Sequence, residues 1–197
     1  MPCDGIAAIR SSPLLRTITW SSALLAAIDG AWFALLVIFI AEDLEMASAA
    51  LGVFLAIGAV GGLIGAAIAD RASGLSLPVV AGSALLVMAV PLLVLSLLPT
   101  PTLAAAALVL TSGAFSLWNV FMVSARQRAS GSQLLGRVGA AYRTVVVSAA
   151  LVGTLVGGLV AEIFSVRASL AASAIALFVA TPAVVWGFRS QPGAAST

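Results

Sequence analysis

Apolar residues in this chain come in long unbroken runs, not in the alternation of a half-buried strand or the stripe of a soluble amphipathic helix. Each run has about the 20 residues needed to cross a hydrocarbon layer as a helix. Six can be delimited: Ile18 to Ala41, Ala47 to Ala69, Leu77 to Leu98, Thr102 to Ala125, Val138 to Ala161 and Val166 to Phe188. Membrane strands would need shorter segments of period two. The pattern therefore predicts an all-α membrane protein: a lead-in over 1–17, a six-helix bundle over 18–189 and a tail over 190–197.

Polar residues punctuate the runs. Pro78 is placed for the first turn of the third helix, where a missing N–H costs nothing. Pro99 and Pro101 mark a tight turn between the third and fourth. Pro91 and Pro182 fall inside the third and sixth, where they are read as packing kinks.

The stretch Arg126 to Arg143, RQRASGSQLLGRVGAAYR, holds four of the chain's nine basic residues. Between two spans it is expected to be a loop, and arginine-rich loops stay in the cytoplasm. With that loop inside, Arg10, Arg16, Arg71, Arg126, Arg128, Arg137 and Arg189 share one side and Arg167 lies on the other. Both termini are then expected in the cytoplasm of a cell whose inner membrane the chain spans several times, with Glu42, Asp43 and Glu45 outside.

Composition narrows the chemistry. With 62% hydrophobic and 8% charged residues, a water-soluble fold, for which about 25% charged is usual, is excluded. There is no His, and Cys3 is the single cysteine. Imidazole catalysis, a histidine proton relay, an intrachain disulfide and a cysteine-based metal site are all ruled out. No phosphate loop, serine elbow or zinc-protease motif occurs, so no enzyme, cofactor, metal or nucleic-acid partner is expected.

Three constellations remain. Asp29 lies near the middle of the first span, where a carboxylate costs about 2.5–3.5 kcal/mol on insertion scales. It is read either as a proton- or cation-binding group on a cavity wall, with Gly30 and Trp32 beside it, or as a structural acid bonded to Ser or Thr on a neighbouring helix. Trp118 and Asn119, with Ser112, Ser116 and Ser124, form a polar strip in the fourth helix that suits a substrate path or interhelical bonding. Finally, Gly58 and Gly62, Gly61 and Gly65, and Gly153 and Gly157 stand four apart, the spacing at which helix backbones approach closely in lipid. Arg143 is placed either to snorkel to headgroups or to pair with Asp70.

The sequence RQRASGSQLLGRVGAAYR followed by VGTLVGGLVAEIFSVR resembles the loop and penultimate helix of the carboxy-terminal half of major facilitator superfamily transporters, in particular bacterial drug, macrolide and enterobactin exporters. GIAAIRSSPLLRTITW resembles the end of their central loop. GGLIGAAIADRASG resembles the second copy of their loop motif, here Asp70, Arg71 and Gly74, with Ala66 where that motif has its leading Gly. The resemblance implies one half, a 3+3 repeat, of such a bundle, with Asp29, Trp32, Trp118 and Asn119 along the substrate and proton pathway. It implies Asp70, Arg71, Arg126, Arg137 and Arg143 at a cytoplasmic gate, and proton-coupled export of small amphipathic molecules with a second six-helix half, whether separate chain or second copy. The rival expectation is a non-transporting membrane scaffold, an accessory subunit or a degenerate fragment.

Overall fold

The computed structural model describes residues 3–47 and 49–190. The tail expected over 190–197 lies outside them beyond Ser190, as do the first two residues of the lead-in. Among the described residues there are seven α-helices and no strand: α1 Cys3–Ser11, α2 Pro13–Ile38, α3 Ala50–Arg71, α4 Leu77–Leu97, α5 Pro101–Ala129, α6 Gly131–Ile163 and α7 Val166–Arg189. Six of them, α2 to α7, are long and apolar enough to cross a membrane. This is a six-span membrane bundle.

Side-chain caps set the boundaries. Ser12, Thr100 and Ser165 accept hydrogen bonds from the backbone N–H of Leu15, Leu103 and Ala168 at 3.4, 3.3 and 3.0 Å, satisfying donors that a helix start leaves free. Pro13 and Pro101 follow the first two caps, where proline's fixed φ suits the first turn. The last turn of α2 widens into a π-helical turn, Phe39–Asp43, and the chain leaves it through Glu45, whose φ of 53° is left-handed. α4 and α7 run on through Pro91 and Pro182.

Lipid offers no hydrophobic drive to bring helices together, so small residues decide which ones meet. α2 lies along α6, with Gly153 against Ala27, Gly157 against Ala31 and Gly30 against the Ala150 carbonyl. Across this seam the Thr154 hydroxyl donates to the Gly30 carbonyl at 3.1 Å. α3 lies along α5, with Gly61 against Val109 and Gly65 against Gly113. α4 pairs with α7, and lesser contacts join α4 to α5 and α2 to α7. Exchanging α2, α3 and α4 for α5, α6 and α7 leaves these pairings unchanged, whereas the contact between α6 and α7 has no counterpart of its extent between α3 and α4. Because short links make consecutive helices antiparallel, the two triplets run in opposite directions, as an inverted 3+3 repeat requires.

The stretch Arg126–Arg143, expected to be a loop, is helical on both sides of a single break at Ser130. Arginine is a good helix former, and a helix of 33 residues is about 50 Å long against a hydrocarbon core of about 30 Å. The charged turns therefore stand clear of the lipid without uncoiling. The Arg126 guanidinium stacks 3.9 Å from the centre of the Tyr142 ring, and the Ser130 hydroxyl donates to the Arg126 carbonyl at 2.7 Å. The lead-in is also helical: α1 sets Gly5 against the Arg137 backbone and buries Ile9 with Leu15 and Val138. Thr17 meets Gly187 at this end too, so both ends of the described chain lie with the arginine-rich turn. Glu42, Asp43 and Glu162 mark the opposite, acidic end.

Candidate functional site

Three helices leave a gap at mid-depth. α2 supplies Asp29 and Phe33; α3 supplies Leu55, Gly58, Ala59 and Gly62; α5 supplies Leu108, Ser112, Phe115, Ser116 and Asn119 around an open cavity of about 560 Å³. Asp29 stands at the middle of the Pro13–Asp43 span. Ser112, Ser116 and Asn119 recur at i, i+4 and i+7, which stacks them on one helix face. The glycines and Ala59 keep the α3 wall low, and the cavity is the space their missing side chains leave.

Asp29 is largely withdrawn from water yet takes part in no hydrogen bond or ion pair among the described residues. The structural acid bonded to a neighbouring Ser or Thr is therefore not what this arrangement contains. The Asn119 amide donates to the Phe115 carbonyl at 3.0 Å within its own helix, and its amide oxygen has no bond among the described residues. The cavity thus combines one acid, two hydroxyls and an amide oxygen with the rings of Phe33 and Phe115. That set can hold a proton or a cationic group beside an apolar body.

Both tryptophans proposed for this wall are elsewhere. Trp32 is buried and packs edge-on to Phe39 with centroids 5.9 Å apart. Trp118 is buried on the core side of α5, donates to the Ser22 hydroxyl at 3.2 Å and packs edge-on to Phe188 at 6.5 Å. The cause is helical phase: residues 32 and 33 both lie about a turn from Asp29, and 118 adjoins 119, yet neighbours point about 100° apart. Phe33, Phe115 and the two serines take the wall instead. Gly62 is corrected likewise: a Cβ there would meet nothing within 4 Å, so it borders the cavity and not a seam. Gly58 does both, lining the cavity with a Cβ position 3.3 Å from the Ser112 hydroxyl.

The residues expected at a gate are spread over the arginine-rich end. Asp70 lines a smaller cavity of about 310 Å³ between α3 and α5, together with Ser124 and Arg128. The base that shares its surroundings is thus Arg128, whereas Arg143 is exposed on α6. Arg71 is exposed and donates to the Ala67 carbonyl at 3.4 Å; Arg126 is held on Tyr142, and Arg137 belongs to the turn on which α1 rests.

At the acidic end a groove of about 690 Å³ between α2, α6 and α7 carries Glu42, Asp43 and Glu162. Among the described residues no three acidic, His or Cys side chains are grouped to hold a metal ion. Arg167, the one arginine at this end, donates to the Ser96 and Leu97 carbonyls, each at 2.8 Å, closing the C-terminus of α4. It also attracts the Asp43 carboxylate.

Compared with protein-family models, curated proteins and solved structures, the chain matches none. Its functional reading therefore rests on its own residues.

Proposed function

We propose that the chain is one six-helix half of a proton-coupled exporter of the major facilitator kind, moving small amphipathic molecules such as drugs or siderophores and working against a second six-helix half. The observation that carries this reading is the open mid-depth cavity with an acid that has no partner among the described residues. An intramembrane carboxylate facing a cavity is a hallmark of proton and ion pathways. The inverted pairing of the two triplets supports it, since transporters of this kind place substrate at mid-depth beside such repeats.

In this mechanism Asp29 takes a proton from one side, releases it to the other and, ionised by that loss, attracts a cationic or hydrogen-bonding group of the substrate. Ser112, Ser116 and Asn119 orient polar groups, and Phe33 and Phe115 cover apolar ones. The second half closes the open side. The glycine seams are the surfaces along which the helices slide as access alternates, and the arginine-rich end faces the cytoplasm.

The test is efflux of a lipophilic cationic dye from cells or inverted vesicles under an imposed proton gradient, with the chain in its native assembly. Asp29→Asn is expected to abolish gradient-driven efflux while the protein still accumulates in the membrane. Undiminished coupling in that variant would remove Asp29 from the mechanism. An assembly that moves no compound under any gradient would favour the scaffold instead.

A further inference from the structure

Of the chain's four tryptophans, Trp32 and Trp118 are buried, whereas Trp20 and Trp186 are 73% and 72% exposed. The exposed pair converges on one place. Thr17 of α2 and Gly187 of α7 meet with a Cβ position 3.1 Å from the threonine methyl, which fixes the line of contact between these helices. Trp20 lies two residues from the fully buried Ile18, and Trp186 two residues from the fully buried Phe188. Two residues turn a helix by about 200°, so both indoles lie on the outer side of the same seam.

Each indole has an exposed arginine on its own face: Arg16 four residues before Trp20, and Arg189 three residues after Trp186. α2 leaves the arginine-rich end and α7 returns to it. On both helices the guanidinium therefore lies outermost and the indole roughly 5 Å deeper. Neither helix carries an acidic residue at this end. The result is two strata, a pair of cations over a pair of amphipathic rings, in the order in which a bilayer stacks phosphate and then glycerol and ester groups.

We infer that Arg16, Trp20, Trp186 and Arg189 form a binding site for one anionic phospholipid, its phosphate between the two guanidiniums and its glycerol backbone against the two indoles. Guanidinium meets phosphate through paired N–H donors, and the ring edges bond to ester carbonyls through Nε1–H. An apolar seam alone would be indifferent to headgroup. Four side chains of this kind, on two helices, select one.

The experiment is native mass spectrometry of the whole chain in detergent, titrated with phosphatidylglycerol, phosphatidylcholine or inorganic phosphate. Two arginines near the surface predict a preference for phosphatidylglycerol over phosphatidylcholine of about thirtyfold. Arg16→Gln with Arg189→Gln is expected to erase that preference; Trp20→Leu with Trp186→Leu is expected to weaken retention of the anionic lipid while the charges remain. Arg71→Gln with Arg143→Gln removes the same charge from other helices of the same end and is expected to leave the preference in place. The site is overturned if wild type shows no headgroup preference, or if the Arg71 and Arg143 pair matters as much. Equally effective displacement of the lipid by free phosphate would make it an anion site and overturn the lipid. All substituted positions are exposed, and an unchanged unfolding temperature of each variant shows that the fold is intact.

Discussion

Whether a glycine is structural or functional is decided by what a single added methyl would touch. At Gly153 it would enter the Ala27 backbone, and at Gly65 the Gly113 backbone. Gly153→Ala and Gly65→Ala are therefore expected to cost about 1–3 kcal/mol each as overpacking, read as a lower unfolding temperature in detergent. At Gly62 the methyl meets nothing, and Gly62→Ala is expected to leave stability unchanged or raise it by up to about 1 kcal/mol. Gly62→Leu, which fills the cavity, should block substrate binding without unfolding the protein. Asp29→Asn belongs with Gly62: the carboxylate bonds to nothing among the described residues, so its loss should leave the unfolding temperature in place while the proposed coupling disappears. Such residues were visible in the sequence as anomalies, an acid in an apolar run and glycines four apart. Which side of the helix each faced was not, because neighbours in sequence differ by about 100° around the axis and the apolar runs have no polar face to set the phase. That is why Trp32 and Trp118 looked eligible for a wall taken by Phe33 and Ser116.

Some helix ends in this protein are closed by a side chain that satisfies the backbone, and these closures are individually testable. Arg167 reaches across from α7 to two carbonyls at the end of α4. Arg167→Ala is expected to cost about 1–2 kcal/mol, the scale of hydrogen bonds made by a charged donor at a partly exposed site, and to increase backbone hydrogen exchange selectively in the last turn of α4. From the chain alone this arginine was a lone exception to the charge asymmetry; the structure gives it a local task. At the other end, Arg126 on Tyr142 ties α5 to α6. Tyr142→Leu should lose the cation–π attraction, about 0.5–1 kcal/mol, and loosen the turn at Ser130 without disturbing the spans. The helical course of Arg126–Arg143 was misjudged because composition measures how polar a segment is, and polarity places it outside the lipid without saying whether it stays coiled.

The principal helix pairings of the bundle have a symmetry that no single helix shows alone. The exchange that maps α2–α6 onto α5–α3 also carries the cavity holding Asp70 and Arg128 at one end toward the groove holding Glu42 and Glu162 at the other. The bundle thus has recesses at both ends and an acid between them, the layout on which the proposed alternating access would draw. Its sidedness can be read directly. With Cys3 replaced by Ser, cysteines at Ser73 and Gly136 should react with an impermeant reagent from one side only, and cysteines at Glu45 and Thr100 from the other. In the orientation proposed from the arginine excess, the first pair is expected to react from the cytoplasmic side.

That six apolar runs form membrane-spanning helices was determined by sequence alone, because hydrocarbon imposes a minimum length and forbids unpaired backbone, leaving a 20-residue apolar run one solution. Charge asymmetry likewise fixed which ends belong together. Which helices pair, which residues reach the cavity and that Asp29 stands without a partner among the described residues were decided only by tertiary structure. Close packing in lipid depends on sub-ångström fit between particular small residues on different helices, and no periodicity within one helix carries that information.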